Sequence, residues 1–132
     1  MQFRHAGISV RNLERSIKFY ELLGFNEITR NTEKGTFIRT VTGGRDPLTY
    51  VKMQLTRTDF ILELYEIKIM SNSPEYHHLA FTVTHLNDIY ERLEERGITF
   101  LSPPLVDTSK KHLLCFCTDP DYNRIEFVEE LK

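Results

Sequence analysis

The chain has 132 residues, of which 40% are hydrophobic and 27% are charged, and its formal net charge is −2 at pH 7. This length and composition fit one compact domain or two small modules that share a core, and they exclude an intrinsically disordered chain. Because the charge is nearly balanced, there is no basic footprint for nucleic acid, and we expect no nucleic-acid partner.

Two features of the sequence bear on the cellular compartment. No apolar run approaches the roughly 20 residues of a membrane-spanning helix, and the segment MQFRHAGISV lacks the basic and apolar regions of a secretory signal. Cys115 and Cys117, the two cysteines, lie two residues apart on a predicted strand, which is a poor geometry for a disulfide. We therefore expect a cytoplasmic protein without a membrane partner, whose thiols are reduced packing residues.

The chain is predicted to begin with a strand and a helix. Apolar residues alternate with small or polar ones over 5–10, as in a strand with one buried face. An amphipathic helix follows, with Leu13, Ile17 and Tyr20 on one face, and Gly24 ends it as a C′ glycine. Further strands of the first half are predicted at 25–30, 36–42, 49–56 and 60–66.

The second half repeats this order. A strand at 78–83 leads into a helix with one apolar face, which Gly97 ends. The apolar positions of that helix are Leu86, Ile89, Tyr90 and Leu93. Strands are then predicted at 98–101, 112–118 and 124–129.

The two halves are copies of one unit. His5 and His78 are 73 residues apart, and the same offset aligns Gly24 with Gly97, whereas LELYE matches IEFVE at an offset of 63. The first copy is therefore ten residues longer, and we place the surplus in TEKGTFIRTVTGGRDP, as an additional strand and a Gly-Gly turn. The predicted fold is α+β, with two βαβββ modules, residues 1–70 and 74–132, joined near IMSNSPEY in one structural domain.

The polar faces of the first and last strands carry two histidines and two glutamates. Strand parity places His5 and His78 away from the helices of their modules, and it places Glu63 and Glu126 on the same side of the sheet. Because the two copies place these residues equivalently, they are predicted to converge on one pseudo-symmetric metal site in a cavity. A divalent cation offsets the cost of burying a mid-strand carboxylate among Ile, Leu and Phe.

Imidazole nitrogen and carboxylate oxygen suit Zn²⁺, Ni²⁺, Fe²⁺ or Mn²⁺. Each of the four residues alone also fits an ordinary role as a hydrogen-bonded or solvated side chain. Their agreement within the repeat is what favours the metal. Three neighbours are predicted not to be ligands, namely His77 on the helix-packing or outer face and Glu66 and Glu129 near strand ends.

The sequence resembles the vicinal oxygen chelate superfamily, also known as the glyoxalase, bleomycin resistance and dioxygenase family, and within it the glyoxalase I (lactoylglutathione lyase) group. The resemblance spans almost the entire chain and rests on HAGISVRNLERSIKFYELLGF, ILEL, HHLAF and DPDYNRIEFVE. The four metal ligands of that group match His5, Glu63, His78 and Glu126 in position and in residue type. The resemblance thus implies paired βαβββ modules that form a curved mixed sheet around a metal-binding cavity.

The resemblance also implies an activity. It predicts a metal-dependent lyase or isomerase that acts on a small carbonyl compound or its thiol adduct through a metal-stabilised enediolate. By analogy Glu126 is the first candidate for the general base, and Glu63 is assigned to the opposite face of the substrate. The expected partners are the carbonyl substrate and a low-molecular-weight thiol.

Three positions depart from the glyoxalase pattern. Ser9 stands where that group commonly has an arginine and Ile67 where it has an asparagine, both of which help to hold glutathione. The resemblance therefore does not extend to glutathione as the thiol. Tyr122 stands where the final hairpin often has glycine, and we expect Asn123 to take the left-handed conformation in its place.

Other functions stay open at this point. The superfamily also contains metal-dependent epimerases, thiol transferases and dioxygenases, and a branch of non-catalytic antibiotic-binding resistance proteins. Several basic residues are either anion contacts or ordinary solvated charges, namely Arg11, Arg39, Arg45, Lys110, Lys111 and Arg124. A homodimer is expected, and the repeat is equally compatible with a metal site within one chain and with one shared across a two-fold axis.

Overall fold

The computed structural model describes residues 1–69 and 77–132. The chain divides into two compact units, Met1–Ser71 and Asn72–Lys132. The predicted linker IMSNSPEY falls almost entirely within 70–76, outside the described residues, and the module boundaries at 70 and 74 stay a prediction. None of the helices in 1–69 and 77–132 has the combination of length and apolar side chains that a membrane-spanning helix requires.

The first unit contains four strands and two helices. They are β1 (Ala6–Val10), α1 (Leu13–Leu22), β2 (Phe25–Glu33), α2 (Thr36–Val41), β3 (Leu48–Leu55) and β4 (Ile61–Glu66). The strands form one sheet in the order β1-β4-β3-β2, in which β1 and β4 are parallel and the other pairs are antiparallel. The first and last strands of the unit are therefore neighbours at the end of the sheet.

The second unit repeats this topology. It contains β5 (His78–Thr82), α3 (Leu86–Glu95), β6 (Leu105–Val106), β7 (His112–Thr118) and β8 (Arg124–Glu130). The sheet order is β5-β8-β7-β6, with β5 parallel to β8. Each unit is thus a four-stranded mixed sheet with a helix between its first two strands, and the predicted α+β class is confirmed.

Both helices that follow the first strands bury the faces that the periodicity predicts. In α1 the buried positions include Leu13, Ile17 and Tyr20, and in α3 they are Leu86 and Leu93. Asn12 caps α1, since its side-chain oxygen accepts a hydrogen bond of 3.0 Å from the N–H of Arg15. The helix α1 contacts β2 and β4, and α3 contacts β8. Because side chains alternate along a strand, every second side chain of these strands points away from the helix.

The predicted strand at 36–42 is wrong, because this segment forms the helix α2. Its β-branched residues favour a strand, but β2 already occupies the open edge of β3 along its length. The segment 36–42 therefore has no free edge of β3 to pair with. It forms a helix that buries Ile38 against Leu48 and Ile67. Tertiary packing here overrides local propensity.

The predicted strand at 98–101 is also wrong. Phe100 forms only an isolated bridge with Cys117, and the edge of the second sheet is formed by β6, which pairs with Leu113 and Leu114 of β7. Pro103 and Pro104 lie between the two segments, and a proline has no N–H to donate to a strand ladder. Pairing therefore resumes only after the prolines.

Candidate metal centre

The first unit brings His5 and Glu63 together. His5 precedes β1 and Glu63 lies in β4, where it pairs with Gly7 in the parallel register. Nε2 of His5 lies 3.2 Å from Oε2 of Glu63. Glu63 is only 5% exposed, so its carboxylate is buried beside the imidazole.

The second unit makes the same arrangement with His78 and Glu126. His78 begins β5, and Glu126 of β8 pairs with Ala80, the position equivalent to Gly7. Nε2 of His78 lies 3.2 Å from Oε2 of Glu126. The two copies of the unit therefore each produce one histidine–glutamate pair with the same atoms and the same spacing.

This spacing fits two ligands of one divalent ion. Metal–nitrogen and metal–oxygen bonds of about 2.0–2.2 Å at octahedral or tetrahedral angles separate neighbouring ligand atoms by roughly 3.0–3.4 Å. Among residues 1–69 and 77–132, no three His, Cys, Asp or Glu side chains form a group that could hold a metal ion. Each unit therefore supplies two ligands of the predicted set, and the convergence of all four on one ion stays a prediction.

Two further residues that were not predicted from the sequence, Lys52 and Tyr65, contact Glu63. The hydroxyl of Tyr65 donates a short hydrogen bond to Oε2 of Glu63. Lys52 is the partner of Glu63 across the β3–β4 ladder, and its Nζ lies 3.6 Å from Oε1. Strand parity was the available signal, because Tyr65 is two residues after Glu63 on the same face.

Tyr65 occupies space that only a glycine in β1 leaves open. A Cβ atom added to Gly7 would lie 2.7 Å from Cε2 of Tyr65. The Tyr65 ring also lies beside the ring of Tyr50, with centroids 5.6 Å apart. The Tyr50 hydroxyl donates a hydrogen bond of 3.0 Å to Oε1 of Glu33. Burial and the hydrogen bond to Glu63 raise the pKa of Tyr65, so this hydroxyl is a stable donor at neutral pH.

The surroundings of Glu126 are different. Its partner across the β7–β8 ladder is Phe116, whose ring meets that of His78 edge to face at a centroid distance of 5.6 Å. Val128 occupies the position equivalent to Tyr65. The first pair thus has polar and cationic neighbours, and the second has an aromatic one.

Glu66 and Glu129, which we predicted not to be ligands, cap the helices instead. Oε2 of Glu66 accepts a hydrogen bond of 3.0 Å from the N–H of Leu13, at the start of α1. Glu129 accepts bonds from the N–H groups of His85 and Leu86 at the start of α3. A carboxylate is stabilised at a helix N-terminus by the free N–H groups and the helix dipole.

The hairpin before β8 forms despite the absence of glycine. Tyr122 itself adopts the left-handed conformation, with φ of 66°, so the prediction that Asn123 would do so is wrong. Oδ1 of Asp119 accepts hydrogen bonds from the N–H groups of Asp121 and Asn123. Asn123 also donates its side-chain amide to Asp119, and its backbone lies outside the left-handed region.

Two of the basic residues considered as anion contacts, Arg39 and Arg124, have defined neighbours within their own units. Arg39 of α2 lies 3.6 Å from the carboxylate of Asp46. Arg124 pairs with His78 in the β5–β8 register, which makes it the basic residue of that set nearest in the ladder to a predicted ligand. Their role as anion contacts stays a prediction.

Duplicated mixed sheets of this topology, each with a histidine in or just before its first strand and a glutamate in its last, define an α+β protein class in which one chain contains the βαβββ unit twice. The sequence model described as the Glyoxalase/Bleomycin resistance protein/Dioxygenase superfamily matches residues 2–127. The chain belongs to this superfamily, the vicinal oxygen chelate proteins, and the resemblance found in the sequence is confirmed. Members of the superfamily typically use a divalent metal ion.

Individual relatives agree with this assignment. Lactoylglutathione lyase from Neisseria meningitidis serogroup A is 26% identical over 98% of this chain and 91% of the relative. A glyoxalase family protein from Bacillus cereus has the same fold, with a TM-score of 0.82, 22% identity and coverage of 100% of this chain and 95% of the other. A glyoxalase family protein from Enterococcus faecalis has a TM-score of 0.78 at 25% identity, and the alignment covers 97% of both chains.

Proposed function

We propose that this protein is a glyoxalase I-like, metal-dependent lyase or isomerase that acts on a small carbonyl compound or its thiol adduct. The observation that carries the proposal is the repeated histidine–glutamate pair, with a spacing of 3.2 Å in both units. The residue types at the four positions are those of the glyoxalase I ligand set. The similarity to a lactoylglutathione lyase over 98% of the chain supports the same class of reaction.

The donor set favours a borderline divalent ion, Ni²⁺ or Zn²⁺, over a hard one such as Mg²⁺, because half of the donors are imidazoles. Mn²⁺, Fe²⁺ and Co²⁺ are the alternatives. A bound divalent ion supplies Lewis acidity, which polarises a carbonyl and stabilises negative charge on its oxygen.

The two glutamates are suited to different tasks. Glu63 is buried and contacts His5, Lys52 and Tyr65, so movement of its carboxylate would break several polar contacts at once. In the described part of its own unit, the polar partner of Glu126 is His78, and its side chain is 17% exposed. We therefore assign proton transfer to Glu126, whose carboxylate moves at less cost, and a fixed role on the opposite face of the substrate to Glu63.

The thiol is proposed to differ from glutathione. Ser9 and Ile67 replace the arginine and asparagine that hold glutathione in the glyoxalase I group. Ser9 is exposed in β1, and Ile67 is buried with Ile38 and Leu48. A buried isoleucine donates no hydrogen bond to a peptide carboxylate or amide, so recognition by that route is lost.

The functional unit is proposed to be a homodimer. Each unit supplies only two ligands, so a second pair must come either from the other unit of the same chain or from a second copy. Mixing inactive His5→Ala and Glu126→Ala proteins separates these cases. Recovered activity would mean that one site takes ligands from two chains, and no recovery would mean that all four come from one.

The first experiment is elemental analysis of protein purified without chelator, followed by assays with methylglyoxal and several low-molecular-weight thiols under Ni²⁺, Zn²⁺, Mn²⁺, Fe²⁺ and Co²⁺. His5→Ala is expected to lose bound metal and turnover. His77→Ala is the matched control, since it removes an exposed histidine beside the predicted ligand His78, and it should keep both.

Two outcomes would contradict the proposal. Protein that binds no divalent ion would belong with the non-catalytic antibiotic-binding proteins. Protein that binds the ion but isomerises none of the thiol adducts would belong with the other metal-dependent members, namely the epimerases, thiol transferases and dioxygenases.

A further inference from the structure

We propose that Tyr65, seated over Gly7, is a positioning residue that orients the Glu63 carboxylate toward His5. This inference rests on the proposed function, because it assigns Tyr65 a role at the same site. The Tyr65 hydroxyl bonds to Oε2 of Glu63, and that same oxygen lies 3.2 Å from Nε2 of His5. One carboxylate oxygen is therefore shared between the tyrosine and the histidine.

The contacts of Glu63 restrict how its carboxylate can turn. A carboxylate oxygen has two acceptor sites, and the Tyr65 hydroxyl fills one of those on Oε2. Lys52 lies 3.6 Å from the other oxygen, Oε1. Rotation of the carboxylate would break the hydrogen bond and move Oε1 away from the ammonium group, so the free acceptor site of Oε2 stays on the side of His5.

The backbone of β1 is adapted to this ring position. Gly7 pairs with Glu63 and leaves the space that the Tyr65 ring occupies, since a Cβ there would approach Cε2 to 2.7 Å. That distance is well inside van der Waals contact, and a methyl group at residue 7 would displace the ring. Glycine and tyrosine are thus required together.

The second unit has the repeat without this adaptation. The positions equivalent to Gly7 and Tyr65 carry Ala80 and Val128, and valine has no hydroxyl to donate to Glu126. Carboxylates that bind metals are generally held by hydrogen bonds of their own, and loss of such a bond lowers metal affinity. The positioning device therefore serves one ligand pair, which makes the two halves of the site unequal.

The test compares Tyr65→Phe with Tyr50→Phe. Both variants lose one hydroxyl from adjacent rings, but the Tyr50 hydroxyl bonds to Glu33 and not to a predicted ligand. Zn²⁺ affinity is measured by competition with a chromophoric chelator, and the Co²⁺ absorption spectrum is recorded for each protein. Tyr65→Phe should weaken Zn²⁺ binding about 10- to 100-fold and shift the Co²⁺ bands, whereas Tyr50→Phe should do neither.

A second arm uses metal-free protein. Guanidinium unfolding of Tyr65→Phe, Glu63→Gln and the double variant should show non-additive changes, because the two residues share a hydrogen bond. Gly7→Ala should reproduce the loss of affinity of Tyr65→Phe, which also covers the case in which Tyr65→Phe does not fold. Gly7→Ala with Tyr65→Val copies the pairing of the second unit and should recover the stability that Gly7→Ala alone loses.

The outcomes separate the two proposals. Unchanged Zn²⁺ affinity in a folded Tyr65→Phe protein, or an additive cycle, would overturn the positioning role while leaving the proposed function intact. A wild-type protein that binds no divalent ion would overturn the proposed function. In that case a non-additive cycle would still support the orientation of Glu63 by Tyr65, and an additive one would overturn it.

Discussion

The N–H of Leu86 donates a hydrogen bond of 2.8 Å to Oε2 of Glu129. A carboxylate from β8, the last strand of the second unit, therefore caps the N-terminus of α3. Three residues earlier on the same strand, Glu126 lies beside His78 instead. Two glutamates of one strand thus have separate tasks, one at a helix end and one in the predicted metal site.

The different contacts of Glu126 and Glu129 predict that the same substitution, glutamate to glutamine, affects turnover at one position and stability at the other. Glu126→Gln should lower turnover by roughly 10²- to 10⁴-fold, as expected for loss of a general base, with little change in stability. Glu129→Gln should lower the free energy of unfolding by about 1 kcal/mol, as expected for loss of a helix cap, and keep turnover. Steady-state kinetics and guanidinium unfolding of both variants measure the contrast. Full activity of Glu126→Gln would exclude it as the base.

The left-handed conformation of Tyr122 predicts a stabilising substitution. A non-glycine residue at φ of 66° has a steric cost of about 1 kcal/mol that glycine avoids. Tyr122 is 74% exposed, so removal of its ring loses little packing. Tyr122→Gly should therefore be more stable than Tyr122→Ala by about 1 kcal/mol. Thermal and guanidinium unfolding measure this difference in stability. The Tyr122→Ala variant is the control, because it also lacks the ring. Equal stability of the two variants would show that the turn is not strained.

The hairpin between β6 and β7 is predicted to weaken in acid. A hydrogen bond from His112, supported by the Ser109 hydroxyl and by the N–H groups of His112 and Lys111, lowers the pKa of Asp107 from 3.8 to about 2. Because the pKa is lower in the folded chain, the contribution of this carboxylate is complete above pH 3.8 and is lost as the pH falls through about 2.

Nuclear magnetic resonance can follow this titration directly. The carboxyl carbon of Asp107 and the amide of His112 should titrate together, with a midpoint close to pH 2. In Asp107→Asn the His112 amide should show no transition in this range. A midpoint at the ordinary aspartate value would contradict the hydrogen-bonded turn.

The two thiols are predicted to be unreactive in the folded protein. Cys115 and Cys117 are free and buried, and burial raises their pKa to about 11 and about 12. At pH 8 almost none of either thiol is in the reactive thiolate form, and burial keeps dissolved reagents away from both sulfur atoms. A thiol-specific chromogenic reagent should label neither cysteine in native protein and both in guanidinium. Thr108→Cys, exposed in the β6–β7 turn, is the positive control, and rapid native labelling of the wild type would contradict the prediction.

The sequence by itself determined the α+β class, the internal repeat and the face of the sheet that carries each predicted histidine and glutamate. A strand alternates its side chains with a period of two, so the residues around His5 and Glu63 could be assigned to faces before any strand pairing was known. The repeat then predicted the equivalent pair, His78 and Glu126. These inferences needed only local periodicity and an internal comparison.

The tertiary structure decided what depends on contacts between distant residues. The segment 36–42 has a local preference for a strand, yet it forms α2 because Ile38 packs on Leu48 and Ile67. The hydrogen bond from Tyr65 to Glu63 depends on the space above Gly7, which lies 58 residues away in the chain. Such contacts are set by packing between strands that the chain brings together only on folding, and periodicity along the sequence carries no record of them.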